Sequence, residues 1–463
     1  GRCVVSQDTD FFGSDLSGES AQSAGECCAL CQKHHLCGAY SYVTAEGACW
    51  LKRPEAALHP SKKQGVVSGL LPDRRPPPPA PAPASLANPA LLPSTGVIPI
   101  LIIAYNRHDH LKRTIESILG AIPSKQQSSF PLIVSQQGAH PQTTNVIQSF
   151  SSKLARHLHF TYHDNGKRQK GYEGNSWMSY YKMTSHYGYA IQASFDISPD
   201  YAHLIVMEDD LDVAPDFFEY FTLAARVLDK DPSLYCASAW NDNGMSALVK
   251  DPRVVRRTDV FPGLGWMLTR KLWSEISRDG TWPLAFWDEA MREPQIRKGR
   301  ACLIPEVNRA YTFGSQGSSQ TGGRWWKKFL QPIRLNERPQ PWSSLLNMTS
   351  GGKHEYDRRL RRALQEAESH TIEEALRADA GPGPAAGDPR DWVVEYRDVR
   401  DFESKAGRLN MLNEYKEGRP RGGYCGVVTI WAPCGRRVLL AHSSALAWAK
   451  GSEPECDGRA SLA

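Results

Sequence analysis

Short apolar runs alternate with amphipathic stretches along most of the chain after Gly96. Runs too short for buried helices predict strands at 98–104, 132–135, 158–162, 204–207 and 234–240. Apolar residues at helical spacing predict helices at 111–119, at 175–195 and behind Pro215. Strands that alternate with helices indicate an α/β fold whose mostly parallel sheet is covered on both faces.

The pattern divides the chain into four regions. Residues 1–71 are rich in cysteine, and the proline-rich stretch 72–95 is typical of a semi-rigid extended linker. Residues 96–346 carry the α/β pattern. Residues 347–463 form an appended segment that we expect to pack on the α/β core, with a helix at 358–377 and strands at 392–396, 426–431 and 437–440. Cys425 and Cys434 flank one of these strands, and a bridge between them is an expectation.

Composition narrows the class of protein. The 463 residues are 41% hydrophobic and 23% charged with a net charge of +5, which describes a soluble globular protein. This mild charge gives no reason to propose a nucleic acid partner, and no apolar run is long enough to span a bilayer. Because the chain starts at Gly1 without Met, we expect a fragment from which a targeting or anchor segment has been removed.

Six of the eleven cysteines lie between positions 3 and 49. This density predicts a disulfide framework and an oxidising compartment, while zinc binding by Cys28 and Cys31 is the alternative. A helix at 23–33 should carry Cys27 and Cys31 on one face, followed by two hairpin strands. The arrangement resembles the PAN/apple family, which implies a protein- or glycan-binding module; a structural stem is the alternative. Fifteen pairings of the six cysteines remain open.

Three consecutive carboxylates, Glu208, Asp209 and Asp210, follow the strand at 204–207. The carboxyl ends of strands are where open α/β sheets bind ligands. No lysine or arginine lies inside the triplet to neutralise it, and carboxylates suit a hard divalent ion such as Mg²⁺ or Mn²⁺. A solvated acidic turn is the alternative.

Several ordered blocks of sequence resemble glycosyltransferase family 13, the N-acetylglucosaminyltransferase I group. The blocks are 98–107, 208–221, 233–244, 261–266, 286–292, 297–306 and 312–314, with a weaker echo at 419–424. The resemblance implies a GT-A nucleotide-sugar-binding fold. It also implies inverting transfer of N-acetylglucosamine from UDP-GlcNAc, with Mn²⁺ as cofactor, to a terminal mannose of a glycan or glycoprotein.

The resemblance assigns donor-side roles to five residues. Asp210 matches the metal ligand, and Glu208 and Asp209 match positions that hold the sugar and ribose hydroxyls. Arg107, directly after the first strand, matches a nucleotide contact. His186 matches a uracil contact, although a lone histidine on a helix is also typical of simple packing.

The segment 286–292 carries the implied base. Inversion needs one group to deprotonate the acceptor hydroxyl, and Asp288 matches the family's base while adjacent Glu289 is its rival. Trp287 matches a contact to the N-acetyl group. Arg292 and Ser319 match further donor contacts, and the glycine-serine loop around Ser319, residues 314–323, is either a lid over the donor or an ordinary loop.

Compared with the family pattern, this sequence keeps one disulfide pair, lacks a second, and replaces one residue that binds uracil. Cys236 and Cys302 match a family disulfide, whereas Tyr105 and Gly138 stand where a second disulfide is expected. Gln137 replaces an aspartate that accepts the uracil N3 proton. An amide oxygen can still accept that bond, so uridine remains the expected base and another nucleotide is the alternative.

These observations predict a lumenal, Golgi-type β-1,2-N-acetylglucosaminyltransferase, the soluble part of a type II membrane protein. One alternative is a related transferase that uses another nucleotide sugar or an O-mannosyl or unrelated acceptor. A glycan-binding protein with a decayed catalytic domain is a second, and the presence of Arg107, Asp210, Trp287 and Asp288 argues against it.

Overall fold

The computed structural model describes residues 3–11, 15–34, 37–52, 60–71, 96–278, 281–315, 322–342, 352–377 and 391–451. The chain divides into two compact units, Gly1–Asn88 and Pro89–Ala463. The predicted linker at 72–95 and the predicted boundary at 346/347 lie outside the described residues.

The first unit is a five-stranded antiparallel sheet with one helix. The strands are β1 (Val4–Phe11), β2 (Asp15–Ser20), β3 (Ala39–Val43), β4 (Ala48–Lys52) and β5 (Pro60–Leu70), in the order β1-β5-β3-β4-β2. The helix α1 (Ala24–Lys33) begins where the Ser23 side chain accepts a hydrogen bond from the Glu26 amide, a typical N-cap. Cys27 and Cys31 face inward on α1, as the spacing predicts.

All six cysteines of this unit are in disulfide bonds, so the zinc alternative is wrong. The pairs are Cys3–Cys28, Cys27–Cys49 and Cys31–Cys37. The hydrophobic cluster under the helix is small, and in a module of this size each disulfide contributes about 2–4 kcal/mol by constraining the unfolded chain.

The second unit is built on an eight-stranded mixed sheet. The strands of this unit are β6 (Ile100–Ala104), β7 (Leu132–Gln137), β8 (Leu154–Phe160), β9 (His203–Glu208), β10 (Leu211–Val213), β11 (Leu234–Ser238), β12 (Val255–Thr258), β13 (Trp266–Thr269), β14 (Ala301–Pro305) and β15 (Ala310–Thr312). The eight-stranded sheet has the order β12-β14-β11-β13-β9-β6-β7-β8, and β10 and β15 form a separate short pair. Four pairings are parallel and three, all involving β12 or β13, are antiparallel. The predicted mostly parallel sheet is confirmed.

Helices cover both faces of this sheet. On one face lie α2 (His108–Ala121), α3 (Pro141–Ser149) and α5 (Phe217–Lys230), and on the other α4 (Met178–Asp196), α6 (Arg270–Ile276), α7 (Trp287–Ala290) and α8 (Pro294–Arg297). The short helix α9 (Gly322–Trp325) packs instead against the hydrophobic cluster of the C-terminal region. Short 3₁₀ turns occupy Ser124–Ser129, Ser151–Lys153 and Asn175–Trp177, and a π-helical turn Trp326–Leu330. Across the described residues no helix has the length and apolar character needed to cross a membrane.

The apolar runs of the central strands are continuous because both faces are buried. Ile100 and Ile102 point into one hydrophobic cluster with α2 and α5, while Leu101 points into another with α4. Strand β8 is one of the two edge strands and is only partly buried, which explains why the apolar pattern at 158–162 misplaces its start.

A fully buried ion pair holds the segment between β10 and α5. Asp216 accepts hydrogen bonds from the Arg309 guanidinium, from Asn336 Nδ2 at 2.9 Å and from Trp342 Nε1 at 2.8 Å. Both side chains of the ion pair are fully buried. Because both oxygens of the Asp216 carboxylate are fully hydrogen-bonded, its negative charge is tolerated in the interior. Asp216 is the N-cap residue of α5, so these bonds also fix where the helix begins after the acidic triplet.

The C-terminal region adds a four-stranded sheet to the second unit. Its elements are α10 (Gly352–Glu366), β16 (Glu368–Ser369), α11 (Ile372–Leu376), β17 (Trp392–Tyr396), α12 (Val399–Arg408), β18 (Tyr415–Lys416), β19 (Arg419–Pro420), β20 (Val427–Trp431), β21 (Arg437–His442) and α13 (Ser443–Ala449). The sheet order is β16-β17-β21-β20. Val394, Tyr396 and Val428 share a hydrophobic cluster with Trp240 and Phe329, so the region packs on the α/β core.

Two predictions for this region are wrong. The helix predicted at 358–377 divides at Glu368–Ser369, because this dipeptide pairs with β17 and Thr371 begins a new helix through a capping box with Glu374. Cys434 is a buried free cysteine and Cys425 is disulfide-bonded, so the two are not bridged to each other.

Candidate active site

The acidic triplet lies where two adjacent parallel strands end. Glu208 is the last residue of β9. Arg107 comes shortly after the neighbouring strand β6 and is the N-cap residue of α2. The Arg107 guanidinium donates to Asp210 Oδ2 at 2.7 Å and also to Asp209. The sequence suggested an acidic cluster without a cation inside it; the tertiary structure places Arg107 against two of its three carboxylates.

The triplet remains crowded with negative charge in spite of Arg107. Burial and the neighbouring charge of Asp210 raise the pKa of Glu208 to about 7. The Glu208 carboxylate accepts a hydrogen bond of 2.7 Å from the Tyr187 hydroxyl on α4. A bound cation would relieve the remaining repulsion at this edge.

Asp210 has the features of a metal ligand that works together with a phosphorylated substrate. Its Oδ1 atom is buried and has no hydrogen-bond partner among the residues that the structure describes. Within the described part of the chain, no group of three or more His, Cys, Asp or Glu side chains is arranged to hold a metal. Mg²⁺ and similar ions are commonly held by one or two carboxylates plus substrate phosphates and water, and Asp210 fits that mode.

Gly314 lies against Asp210 and leaves no room for a side chain. A Cβ atom there would be 2.1 Å from Asp210 Oδ2, and the backbone is fixed nearby by a 3.0 Å hydrogen bond from the Phe313 amide to the Asp210 carbonyl. Glycine is therefore required at this position for the close approach of the two segments.

Gly314→Ala should displace the Asp210 carboxylate and weaken at least tenfold the Mn²⁺-dependent binding of UDP that the family resemblance implies, with little loss of thermal stability. Calorimetric titration with UDP at fixed Mn²⁺ measures this. The control is Gly120→Ala, a helical position with nothing within 4 Å of the added Cβ, which should bind normally. Unchanged affinity in Gly314→Ala would contradict a role for Asp210 in holding the metal.

Side chains of α2 hold the loop that follows the triplet. Thr114 Oγ1 accepts from the Leu211 amide at 3.0 Å, and Ser117 Oγ accepts from the Val213 amide at 2.9 Å. Arg113 pairs with Asp212 from the same helix face. These contacts could not be predicted from the sequence, because Thr114 and Ser117 are nearly 100 residues away from the amides that they bind.

The segment that carries the implied base begins with a strained residue. Phe286 has φ +55°, a left-handed conformation that is unusual for a bulky side chain, and it precedes α7. Trp287 is buried and its ring stacks on Tyr187 with a centroid distance of 4.2 Å. Since Tyr187 also binds Glu208, one side chain joins the base segment to the acidic triplet. Tyr187 was not anticipated.

The two adjacent carboxylates on α7 have different partners. Asp288 is paired with Arg292 at 3.0 Å, and its side chain is 44% exposed. Glu289 is paired with Arg292 at 3.1 Å and with Lys416 at 2.7 Å. Burial would raise the pKa of Glu289, but Arg292 and Lys416 outweigh it and lower that pKa. Lys416 comes from β18 in the C-terminal region, and the sequence did not point to it.

The region predicted to contact uracil is formed by β7, β8 and α4. His186 is buried, its Nε2 atom lies 2.8 Å from Ser135 Oγ, and its ring stacks on Phe160 at 5.0 Å. Burial lowers the pKa of His186 to about 3, so the ring is neutral at physiological pH. Gln137 ends β7, is half-buried, and makes no side-chain hydrogen bond to other described residues.

The position of the family's second disulfide is filled by rings. Tyr105 and His140 meet edge to face at 4.6 Å, and both lie about 4 Å or less from where a Cβ of Gly138 would stand. The Tyr105 side chain remains 46% exposed. Ring packing thus occupies the space at the ends of β6 and β7 where the family pattern predicts a covalent link.

Cys236 and Cys302 form a disulfide between neighbouring strands β11 and β14, the pair that the resemblance implies. Ser319 lies outside the described residues, as does most of the predicted lid. The structure therefore brings Arg107, Glu208, Asp209 and Asp210 together at one edge of the sheet, and links them through Tyr187 to Trp287 and Asp288.

Comparison with known proteins defines the class. Residues 73–452 match the GNT-I family and residues 9–52 match the PAN domain. An Arabidopsis thaliana protein named alpha-1,3-mannosyl-glycoprotein 2-beta-N-acetylglucosaminyltransferase is 35% identical over 346 residues, which cover 74% of this chain and 73% of the relative. The chain is a glycosyltransferase of the N-acetylglucosaminyltransferase class. It belongs to the GNT-I family and carries an N-terminal PAN domain.

Among solved structures the likeness is distant. A Pyrobaculum calidifontis mannosyltransferase, PcManGT, in complex with GDP-Man and Mn²⁺ has 12% identity and a TM-score of 0.28, covering 54% of this chain and 68% of that chain. The S. aureus protein TarS 1–349 in complex with UDP-GlcNAc has 12% identity and a TM-score of 0.33, covering 49% and 61%.

Proposed function

We propose that this protein transfers N-acetylglucosamine from UDP-GlcNAc to a terminal mannose of a glycoprotein glycan, with inversion, in a β-1,2 linkage and with Mn²⁺. The observation that carries the proposal is the partnerless, buried Oδ1 atom of Asp210, beside Arg107 and joined through Tyr187 and Trp287 to Asp288. The name of the Arabidopsis relative supports the sugar and the acceptor.

On the donor side, the chain supplies a carboxylate for the metal and a guanidinium for the nucleotide. Mn²⁺ held by Asp210 and the donor diphosphate would act as a Lewis acid that stabilises charge on the departing UDP. Arg107 already lies at the same edge and can shift a hydrogen bond from Asp209 or Asp210 to a phosphate oxygen, for which a guanidinium is well suited. The free amide of Gln137 can accept from the N3 proton of uracil.

On the acceptor side, the chain must remove one proton. Asp288 accepts it from the attacking mannose hydroxyl, because its carboxylate is half exposed and, among the described residues, is paired with one cation, Arg292. Glu289 is a weaker base, since Lys416 and Arg292 hold it in its charged form. Trp287 and Tyr187 keep this segment at a fixed position relative to the acidic triplet.

The donor is tested by measuring UDP or GDP release from a panel of nucleotide sugars with Mn²⁺ and a mannose-terminated glycan. We expect UDP-GlcNAc to exceed every other donor by at least tenfold, and chelation to abolish the reaction. A preference for another base would mean that Gln137 alters nucleotide selection. No turnover with any donor, together with retained glycan binding, would support the alternative of a decayed catalytic domain.

The PAN unit is proposed to recruit glycoprotein or glycan substrates to the transferase. It forms its own compact sheet with three disulfides, separate from the unit that holds the candidate site. The disulfides fit an oxidising compartment, and we propose the Golgi lumen as the site of action.

Deletion of residues 1–90 should leave kcat and KM for a small free glycan within about twofold of the intact chain, because no predicted site residue lies in that unit. The KM for a glycoprotein acceptor should rise. Comparison of the two acceptors on one enzyme preparation provides the control. Equal losses on both acceptors would contradict the recruitment role and would make the unit a part of the catalytic machinery.

A further inference from the structure

Four aromatic side chains cluster next to the candidate base. We call them the aromatic platform: Tyr172, Trp177, Tyr180 and Phe286. Phe286 lies 4.6 Å from Tyr172 and 4.6 Å from Tyr180 between ring centroids. Trp177 meets Tyr172 edge to face at 5.1 Å. No step described so far uses these residues.

The loop that carries Tyr172 is held in place before any ligand binds. The Tyr181 hydroxyl accepts from the Gln169 amide at 2.7 Å and donates to the Tyr172 carbonyl at 3.1 Å. Arg168 forms two hydrogen bonds with Asp164 in the same loop, and its guanidinium lies 5.2 Å from the Tyr181 ring centroid. A binding surface that is rigid in advance loses little entropy when it takes a ligand.

The four side chains of the platform are neither fully buried in the core nor fully exposed to solvent. All four are half-buried. Among the described residues, the hydroxyls of Tyr172 and Tyr180 and the indole N–H of Trp177 have no hydrogen-bond partner, and these atoms are open to solvent rather than buried, so they are available to a ligand. Apolar ring faces with unused polar groups at their rims match a pyranose, which has apolar C–H faces and hydroxyls around its edge.

The platform adjoins the site through the chain itself. Phe286 immediately precedes Trp287 and Asp288, and its left-handed conformation directs α7. Trp287 contacts Tyr187, which belongs to the donor side, whereas Phe286 contacts the other three rings of the platform. A glycan whose terminal hydroxyl reaches Asp288 must continue away from the donor, and the platform adjoins Asp288 through Phe286, which lies two residues before it in the chain.

We propose that the aromatic platform is an acceptor subsite, which binds the sugar ring adjoining the terminal mannose that is glycosylated. This inference rests on the proposed function and deepens it: it assigns residues that recognise an extended neutral oligosaccharide in preference to a monosaccharide. Trp177 supplies the largest ring face, and Tyr172 and Tyr180 flank it.

The test compares two acceptors, methyl α-mannoside and a branched mannose oligosaccharide, in the full chain and in Trp177→Ala. The oligosaccharide KM should rise roughly 10- to 100-fold, the range of an aromatic hot spot. The KM for methyl α-mannoside and the KM for UDP-GlcNAc should stay within about twofold. Trp177→Phe keeps a ring and should recover much of the oligosaccharide affinity, and Tyr172→Ala should repeat the effect of Trp177→Ala.

Tyr189→Ala is the matched control. Tyr189 lies on the same helix as Tyr180, is 39% exposed and contacts Phe160 rather than the platform, so its loss should not change the oligosaccharide KM. If the platform only holds Phe286 in its strained conformation, Trp177→Ala will lower kcat equally for both acceptors. That result, or an unchanged oligosaccharide KM in a folded variant, overturns the proposal.

A direct binding experiment separates this proposal from the proposed function. If the full chain shows no transfer from UDP-GlcNAc to either acceptor, the proposed function fails. Saturation-transfer NMR with the same oligosaccharide then decides on the platform. Signals that are present with the full chain and lost with Trp177→Ala support the subsite, and equal signals in the two, or none in either, overturn it.

Discussion

Asp288→Asn should lower kcat for transfer by roughly 10²–10⁴-fold, the usual contribution of a general base. A single displacement has one proton to remove, and asparagine has the size of aspartate without its basicity. Mn²⁺-dependent binding of UDP-GlcNAc should persist, because Arg107 and Asp210 are on different elements from Asp288. Steady-state kinetics together with calorimetric titration of the donor measure both effects on one preparation.

Glu289→Gln is the matched comparison. Glu289 is equally exposed, at 42% against 44% for Asp288, and it shares the partner Arg292. It is additionally bound by Lys416, which marks it as a structural carboxylate that ties the C-terminal region to α7. We expect a loss of kcat below about tenfold. If Glu289→Gln is the severely impaired variant and Asp288→Asn the mild one, Glu289 is the base.

Asp210→Asn should reduce Mn²⁺-dependent UDP binding by roughly 100-fold or more and should abolish measurable transfer. The carboxylate atom with no protein partner is the one that we assign to the metal, and an amide is a far weaker ligand for a hard cation. Calorimetry with UDP in the presence and absence of Mn²⁺ reports this without relying on turnover. Retained Mn²⁺ dependence in the variant would exclude Asp210 as the metal ligand.

The effect on stability distinguishes a lost ligand from a damaged fold. Asp210→Asn removes one charge from a triplet in which burial and Asp210 raise the pKa of Glu208, so its Tm should not fall below that of the parent chain. Asp212→Asn is the control in the same loop. Asp212 pairs with Arg113 rather than with Arg107, and its loss should leave Mn²⁺-dependent UDP binding within about threefold.

Local patterns in the sequence predicted the five strands 98–104, 132–135, 158–162, 204–207 and 234–240 and three of the helices between them, but not strands β12 to β15. The run 204–207 is a strand because continuous apolar residues satisfy a position that is buried on both faces, and the acids after it mark where that strand leaves the core. Ser23 predicts the start of α1 because its side chain binds a backbone amide three residues on. Such signals depend only on neighbours in the chain, so periodicity and capping residues are enough to read them.

Contacts between distant residues were decided by the tertiary structure alone. Arg107 and Asp210 are 103 residues apart, and they meet because β6 and β9 are neighbours in the sheet. Lys416 binds Glu289 across 127 residues, and Tyr187 joins Trp287 to Glu208. Spacing likewise left fifteen cysteine pairings open and suggested a wrong partner for Cys434. Periodicity reports which residues are buried, whereas strand order and the packing of one region on another determine which of them touch.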